Sequence, residues 1–216
     1  MVASALGILN TSLTQHFETG STNEQLILGE NVDVGSYISG LSSFLKDKKP
    51  DNARVINLPN IESITGGMCF GWNLSSGPVF LFIKQLDFIT LYLDDLIHTR
   101  NMFDRLEIPY NINIFTFVVD TWLEGAQSSL RNLRELNELL EIKIVKVTYV
   151  SDPPSLISLI KEPGVKLFVL SQKYAKTSLP IGKRVKMVSR QLGDVFNGFE
   201  VYSQDFLEHP LPMVLR

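Results

Sequence analysis

The first place in this chain where side chains could do chemistry is an acidic residue followed by glycines. Glu62 stands in the stretch LPNIESITGGMCFGWNLSSG (residues 58–77), just after a predicted strand and ahead of Gly66, Gly67 and Gly71. A carboxyl group in apolar surroundings has a raised pKa and can exchange protons near neutral pH. A carboxylate in the first turn of a helix can instead simply stabilise the helix dipole. Both interpretations of Glu62 stay open at this point.

The histidines and the adjacent acids of the chain do not form a recognisable site. His16, His98 and His209 are far apart and lack the spacing of metal ligands, so we expect them at the surface or at helix ends. Asp94 and Asp95 fall inside a predicted helix and are expected to face solvent or an interface. We therefore expect no metal site within this chain.

Common nucleotide and hydrolase signatures are missing from the sequence. The stretch GGMCFG lacks the G-x-G-x-x-G spacing, and neither a G-x-x-x-x-G-K-[ST] loop nor a G-x-S-x-G elbow occurs. The single cysteine, Cys69, lies in an apolar run without a histidine or aspartate partner and is expected to be a small core residue. An unrelated doubly wound domain for another nucleotide is an alternative that no phosphate loop supports.

Composition indicates a soluble, cytoplasmic protein. The 216 residues are 44% hydrophobic and carry a net charge of −3, so they can build a full core and give no electrostatic case for binding nucleic acid. One cysteine allows no disulfide within the chain and fits a reducing compartment. The most apolar segment, residues 77–98, is interrupted by charges, and the N-terminus has no basic leader, so neither a membrane span nor a signal peptide is expected.

Segments with strand and helix patterns alternate along most of the chain. Strands are predicted at residues 25–29, 53–59, 78–83, 112–120, 143–150 and 164–174, and helices at residues 3–19, 62–77, 87–106, 126–141 and 151–162, with a shorter helix before residue 50. This alternation predicts an α/β fold of three layers, with a mostly parallel central sheet between helices. Ligands bind such sheets at the carboxyl ends of their strands, where Glu62 is expected.

The alternation defines one domain at residues 1–176. Residues 177–216 break it, and we interpret them as a C-terminal extension that packs on the domain or on a partner.

Four segments stand in an informative order: LILGENV (residues 26–32), RVINLPNIES (54–63), KQLDFITLYLDDLIH (84–98) and EGAQSSL (124–130). In this order and spacing the chain resembles the pyrimidine-binding module of thiamine-diphosphate enzymes. It is most similar to the beta subunit of the 2-oxoacid dehydrogenases and to the split transketolase-like group. The resemblance extends from about Ala5 to Tyr174.

The resemblance assigns cofactor roles to several residues. Glu62 matches the glutamate that contacts a ring nitrogen of the aminopyrimidine and thereby activates the cofactor. Phe88 matches the aromatic residue that stacks on the pyrimidine, although it would also suit a plain core position. Gly67 and Gly71 match glycines of the following helix, with Gly67 expected beside the cofactor.

Two further parts of the chain can be compared with the family: the turn at residues 29–30 and the loop at residues 127–128. Gly29 and Glu30 match a Gly-Glu turn whose role is structural or lies at an interface. Ser128 stands where many beta subunits have a histidine, which argues against oxidative 2-oxoacid dehydrogenase activity. Gln127 and Ser128 can still hydrogen-bond a polar substrate.

The Gly-Asp-Gly signature that binds diphosphate and metal in these enzymes is missing, and GDV at residues 193–195 is a poor match. No third, C-terminal domain is expected in the remaining residues. The resemblance therefore implies a partner subunit with the diphosphate-binding module, a heterotetramer with two copies of each subunit, thiamine diphosphate and Mg²⁺. The expected reaction makes or breaks a C–C bond next to a carbonyl, by 2-oxoacid decarboxylation or by ketol or acyl transfer. The alternative is a catalytically degenerate module that stabilises such a partner.

Overall fold

The computed structural model describes residues 2–19, 23–59, 62–119, 133–140, 142–149, 151–177 and 179–180. The strands are β1 (Val2–Ala3), β2 (Gln25–Gly29), β3 (Ala53–Asn57), β4 (Val79–Gln85), β5 (Asn111–Val118), β6 (Lys143–Lys146), β7 (Gly164–Ser171) and β8 (Leu179–Pro180). The α-helices are α1 (Ala5–Glu18), α2 (Glu62–Ser75), α3 (Leu93–Arg105), α4 (Leu133–Leu140) and α5 (Pro153–Lys161).

Within these ranges, six strands form a parallel sheet in the order β3-β2-β4-β5-β7-β6. The central strands β4, β5 and β7 are buried on both faces, which explains their continuous apolar runs. The predicted three-layer α/β fold with a parallel sheet is confirmed.

The helices form one layer on each side of the sheet. Helices α1 and α5 pack together over one face, above alternate strand residues such as Phe80, Phe82, Phe115 and Phe168. The rings of Phe82 and Phe168 each stack on that of Phe115 at 4.8 Å. Helices α2, α3 and α4 cover the other face, where the buried core is mostly aliphatic. The period of two along each strand thus divides the apolar residues between two separate cores.

Capping side chains stabilise the starts of two of the predicted helices, α1 and α5. The Ser4 hydroxyl accepts the Gly7 N–H at 3.0 Å at the start of α1. The Asp152 carboxylate accepts the Ser155 N–H at 3.0 Å at the start of α5, which has prolines in its first turn. These caps satisfy amide groups that have no partner inside the helix.

Two predicted helices differ from the structure. The segment predicted as a helix from residue 87 begins as a 3₁₀ helix, Leu86–Tyr92, and becomes α3 only at Leu93. The Thr90 hydroxyl donates a hydrogen bond to the Asp87 carbonyl oxygen at 2.8 Å, and this oxygen would otherwise be free to accept an α-helical amide N–H. The β-branched and aromatic residues of this segment also disfavour an α-helix.

The short helix predicted before residue 50 is replaced by two 3₁₀ turns, Ile38–Gly40 and Ser43–Leu45. The backbone is left-handed at Tyr37, Ile38 and Ser39, with φ of 51°, 51° and 57°, and a right-handed α-helix cannot continue through such residues.

The two ends of the described chain meet beside α1. Strand β8 pairs antiparallel with β1, so the first residues of the predicted C-terminal extension lie against the start of the domain. Residues 181–216 of that extension lie outside the described residues.

Candidate functional site

A crevice opens at the carboxyl edge of the sheet between the neighbouring strands β2 and β4. It forms there because the connections that follow these two strands lie on opposite faces of the sheet. After β2 the chain runs through the 3₁₀ turns at residues 38–45, whose apolar side chains join the core under α1 and α5. After β4 it runs through the 3₁₀ helix and α3 on the other face. Ligands of open parallel sheets bind at such reversals, at the carboxyl ends of the strands.

The crevice is a shallow groove open to solvent, and its cavity volume is only about 30 Å³. Its walls combine apolar side chains from several elements with a few polar groups. The lining residues are Gly29, Glu30, Leu58, Pro59, Thr65, Leu81, Phe82, Ile83, Lys84, Phe88 and Tyr92. This space has room for roughly one or two water molecules. The lining therefore offers a surface for one face of a flat apolar ring and does not enclose it.

Glu62 is the first residue of α2, and the first turn of this helix borders the crevice. Thr65, three residues further along, is buried and lines the crevice wall. The side chain of Glu62 lies outside what the structure describes. Glu62 stands at the start of a helix, as the helix-dipole interpretation requires, and Pro59 and Thr65 on either side of it in sequence line the crevice, so both sequence interpretations stay open.

Phe88 lies in the 3₁₀ helix after β4 and lines the crevice. Its side chain is half-buried and also packs against the core beneath α2 and α3. Tyr92, one turn further, is buried beside it in the same lining. Phe88 therefore belongs to the core, as one of the two interpretations expected, and part of its surface lines the crevice. Stacking on a pyrimidine stays a prediction.

The close helix contact expected from the glycines of α2 is made by Gly66. A Cβ atom at Gly66 would lie 2.0 Å from Oδ2 and 2.3 Å from Cβ of Asp95 on α3. Gly67 and Gly71 are instead exposed, and a Cβ there would meet no atom within 4 Å. Gly67 does not line the crevice in the described chain, so the structure does not bring it to Phe88.

The adjacent acids Asp94 and Asp95 have different surroundings. Asp94 is exposed, and its Oδ1 lies 3.2 Å from Nδ1 of His98, so both are surface residues as predicted. Asp95 is half-buried against Gly66, so it is less exposed to solvent than Asp94. The absent side chain at Gly66 explains this, because it leaves room for the carboxylate against α2.

Gly29 ends β2 at the floor of the crevice and has a structural role. A Cβ atom there would lie 2.8 Å from the carbonyl oxygen of Phe82 and 3.0 Å from Cδ1 of Ile38. Only glycine allows β2 and β4 to approach at this point. Glu30 follows as an exposed acid on the crevice rim.

His16 and Cys69 are buried away from the crevice rim. His16 was expected at the surface or at a helix end, and it lies in the last turn of α1. It is only 6% exposed, and its Nε2 lies 2.8 Å from Oε1 of Gln25 among phenylalanine rings. Burial lowers the pKa of His16, which keeps the ring neutral. Cys69 is 1% exposed, and burial raises the pKa of its thiol to about 12, which confirms a core residue.

Three sequence-predicted residues lie outside the described chain: Gln127, Ser128 and His209. The strand before Gln127 and Ser128, β5, ends at the same edge of the sheet as the crevice. Among the described residues, no group of three or more His, Cys, Asp or Glu side chains is placed to hold a metal ion. None of the helices in the described ranges is long and apolar enough to cross a membrane.

Lys84 is a crevice residue that the sequence analysis missed. It lies near the end of β4, where the pairing with β5 shifts register between Ile83 and Gln85. A charged residue near the end of an apolar run was the available signal, but an ordinary strand end gives the same pattern.

No protein-family model matches the chain, and no curated protein matches it in sequence. Among solved structures, the fold is similar to an X-ray structure from Mycobacterium smegmatis described as a "putative thiamin diphosphate-dependent enzyme". The TM-score is 0.50 at 10% sequence identity, and the match covers 79% of this chain. It covers 32% of the other chain, so this chain spans about a third of that neighbour's length. Similarity at this identity supports the α/β fold.

Proposed function

We propose that this chain is the pyrimidine-binding component of a two-component thiamine-diphosphate enzyme. The observation that carries the proposal is the crevice between β2 and β4, with Phe88 in its wall and the helix that starts at Glu62 on its rim. The fold similarity to a protein described as thiamin diphosphate-dependent is consistent with it. The order of the four sequence segments supplies the subunit assignment.

The crevice lining offers a surface for one part of the cofactor, the pyrimidine ring. Leu58, Leu81, Phe88 and Tyr92 offer apolar and aromatic surface of the kind that a pyrimidine ring packs against. Neither a glycine-rich phosphate loop nor a Gly-Asp-Gly signature occurs in the sequence. We therefore assign the diphosphate and Mg²⁺ to a partner subunit, in a heterotetramer with two copies of each chain.

In this proposal the residues of the chain bind and orient the pyrimidine ring and exchange a proton with it. Phe88 stacks on one face of the ring and fixes its orientation. Glu62 would exchange a proton with a ring nitrogen as a general acid–base. Thiamine diphosphate, held between this lining and the partner subunit, would supply the nucleophilic carbon for making or breaking a C–C bond beside a carbonyl. Gln127 and Ser128 hydrogen-bond the 2-oxo or ketol substrate.

A surface of α2 supports the proposed partner. Ile64 and Leu74 are 56% and 54% exposed, and Gly67 and Gly71 lie between them on the same side of the helix. Residues 63–75 contain no charged side chain, although part of the helix faces solvent. The core of a protein–protein interface typically contains few charged residues and many apolar ones. A subunit packed on this surface would also lie beside the open mouth of the crevice.

The test is the exchange Glu62→Gln in the chain combined with a subunit that carries the Gly-Asp-Gly module. The amide keeps the size of the side chain but cannot hold the proton, so we expect turnover to fall at least about 100-fold, the lower range of general acid–base contributions. Assembly is checked by sedimentation. Glu24→Gln is the matched control, because Glu24 is half-exposed at the amino end of β2 and pairs only loosely with Arg54, at 3.6 Å. Unchanged turnover in Glu62→Gln would favour the degenerate, stabilising module.

A further inference from the structure

Lys84 is the exposed residue in a strand whose other members are all buried. Charged residues commonly protect the edge strands of sheets from pairing with other chains. That explanation does not apply to Lys84, because β4 lies between β2 and β5 in the interior of the sheet. The ammonium group at this position therefore needs another reason.

The backbone is irregular at Lys84. Ile83 pairs with Thr116 and Gln85 pairs with Phe117, so Lys84 has no opposite residue on β5. Such an extra residue bends a strand locally and redirects a side chain, and it is rare between parallel strands. Here the redirected side chain lines the crevice.

Lys84 is also the positively charged residue among those that line the crevice. Its side chain makes no hydrogen bond or ion pair with the described residues. Three other lysines of the described chain have carboxylate partners at the surface: Lys48 with Asp51, Lys49 with Asp33 and Lys143 with Glu162. The acid of the same lining, Glu30, is not within ion-pair distance of Lys84.

We propose that Lys84 binds the anionic group, carboxylate or phosphate, of the substrate that enters this crevice. The assignment to a substrate rests on the proposed function, whereas anion binding at Lys84 is a property of the chain itself. A lysine ammonium is a flexible point charge with three donors, which suits either anion. Lys84 is then a residue that determines specificity for anionic substrates.

The first test measures anion binding to the full chain. The lysines are dimethylated with ¹³C, which retains their charge, and the Lys84 signal is assigned by its loss in Lys84→Met. Inorganic phosphate and pyruvate are titrated separately at constant ionic strength. We expect the Lys84 signal to shift saturably with one or both anions, while Lys48 serves as the control and shifts only weakly and linearly. Parallel, unsaturated shifts at both lysines would overturn the proposal, and the anion that saturates identifies the group recognised.

The second test separates this proposal from the proposed function. In the assembled enzyme, Lys84→Met should raise KM for an anionic substrate about tenfold and leave the affinity for thiamine diphosphate unchanged, whereas Lys84→Arg should retain most of the affinity. An equal loss of cofactor affinity would overturn the assignment to the substrate. Saturable anion binding at Lys84 without any cofactor binding by the assembly would refute the thiamine proposal and leave the anion site standing.

Discussion

The adjacent glycines Gly66 and Gly67 of α2 allow a sharp test of the helix packing that positions Glu62. Replacing either glycine by alanine improves helix propensity by roughly 1 kcal/mol. At Gly67 the new Cβ meets open space, so this gain should appear as added stability. At Gly66 the new Cβ would lie 2.3 Å from the Cβ of Asp95, far inside normal contact distance.

The contact at Gly66 cannot be relieved by a rotamer change. The Cβ of Asp95 is fixed to the backbone of α3, so α2 and α3 must move apart to accept the methyl group. Overpacking of this kind costs roughly 1–3 kcal/mol. After the propensity gain, Gly66→Ala should be about 1 kcal/mol less stable than wild type and about 2 kcal/mol less stable than Gly67→Ala.

Thermal and urea unfolding of the two variants measure this difference. For a domain of this size, about 2 kcal/mol corresponds to a melting-temperature difference of roughly 4–8 °C. Asp95→Ala should not rescue Gly66→Ala, because alanine retains the Cβ that makes the contact, whereas Asp95→Gly should relieve the clash. Equal stabilisation by both glycine replacements would refute the described packing of α2 against α3.

Three further predictions follow from burial and exposure. Burial lowers the pKa of Lys166 to about 7, against an ordinary value of 10.5, so unfolding takes up a proton between these values. The stability of wild type relative to Lys166→Met should therefore rise from pH 7 to pH 9 in urea titrations, and an unchanged difference would contradict this. Cys69, with a pKa of about 12, should not react with a thiol reagent at pH 8 until the protein unfolds, and rapid labelling of the folded protein would show that the thiol is exposed. Joint replacement of Ile64 and Leu74 by glutamate should abolish partner assembly without lowering the melting temperature of the chain, since both side chains are exposed, and retained assembly would exclude this surface.

Much of the fold was predictable because its signals are local. The strands β4, β5 and β7 are continuous apolar runs, and Asp152 with the prolines after it indicates the start of α5. The parallel sheet with helices on both faces follows from the alternation of such segments.

The details of the crevice depend on contacts between distant segments and could not be predicted in the same way. Gly66 differs from Gly67 only because α3 brings Asp95 against one of them. His16 is buried because its ring meets Gln25 and Phe80 across the α1–sheet contact. The unpaired position of Lys84 depends on the register between β4 and β5, which the sequence of β4 alone does not specify.

The sequence and the fold agree on the candidate site to different degrees. Phe88 lines the crevice, and α2, which begins at Glu62, contributes Thr65 to its wall at the predicted carboxyl edge of the sheet. The cofactor roles of Phe88 and Glu62 stay predictions. Gly67 lies on the outer side of α2, where the sequence could not distinguish a cofactor contact from an interface position. In the proposed function, this exposed, uncharged side of α2 is the surface assigned to the partner subunit.

The most direct test of the central claim is a calorimetric titration of thiamine diphosphate with Mg²⁺ into three samples. These are the chain alone, a Gly-Asp-Gly subunit alone, and their verified complex. We predict saturable binding to the complex only, because each subunit supplies half of the site, and weaker or unproductive binding when the complex carries Glu62→Gln. Absence of binding to a well-folded complex would contradict the assignment of this crevice to thiamine diphosphate.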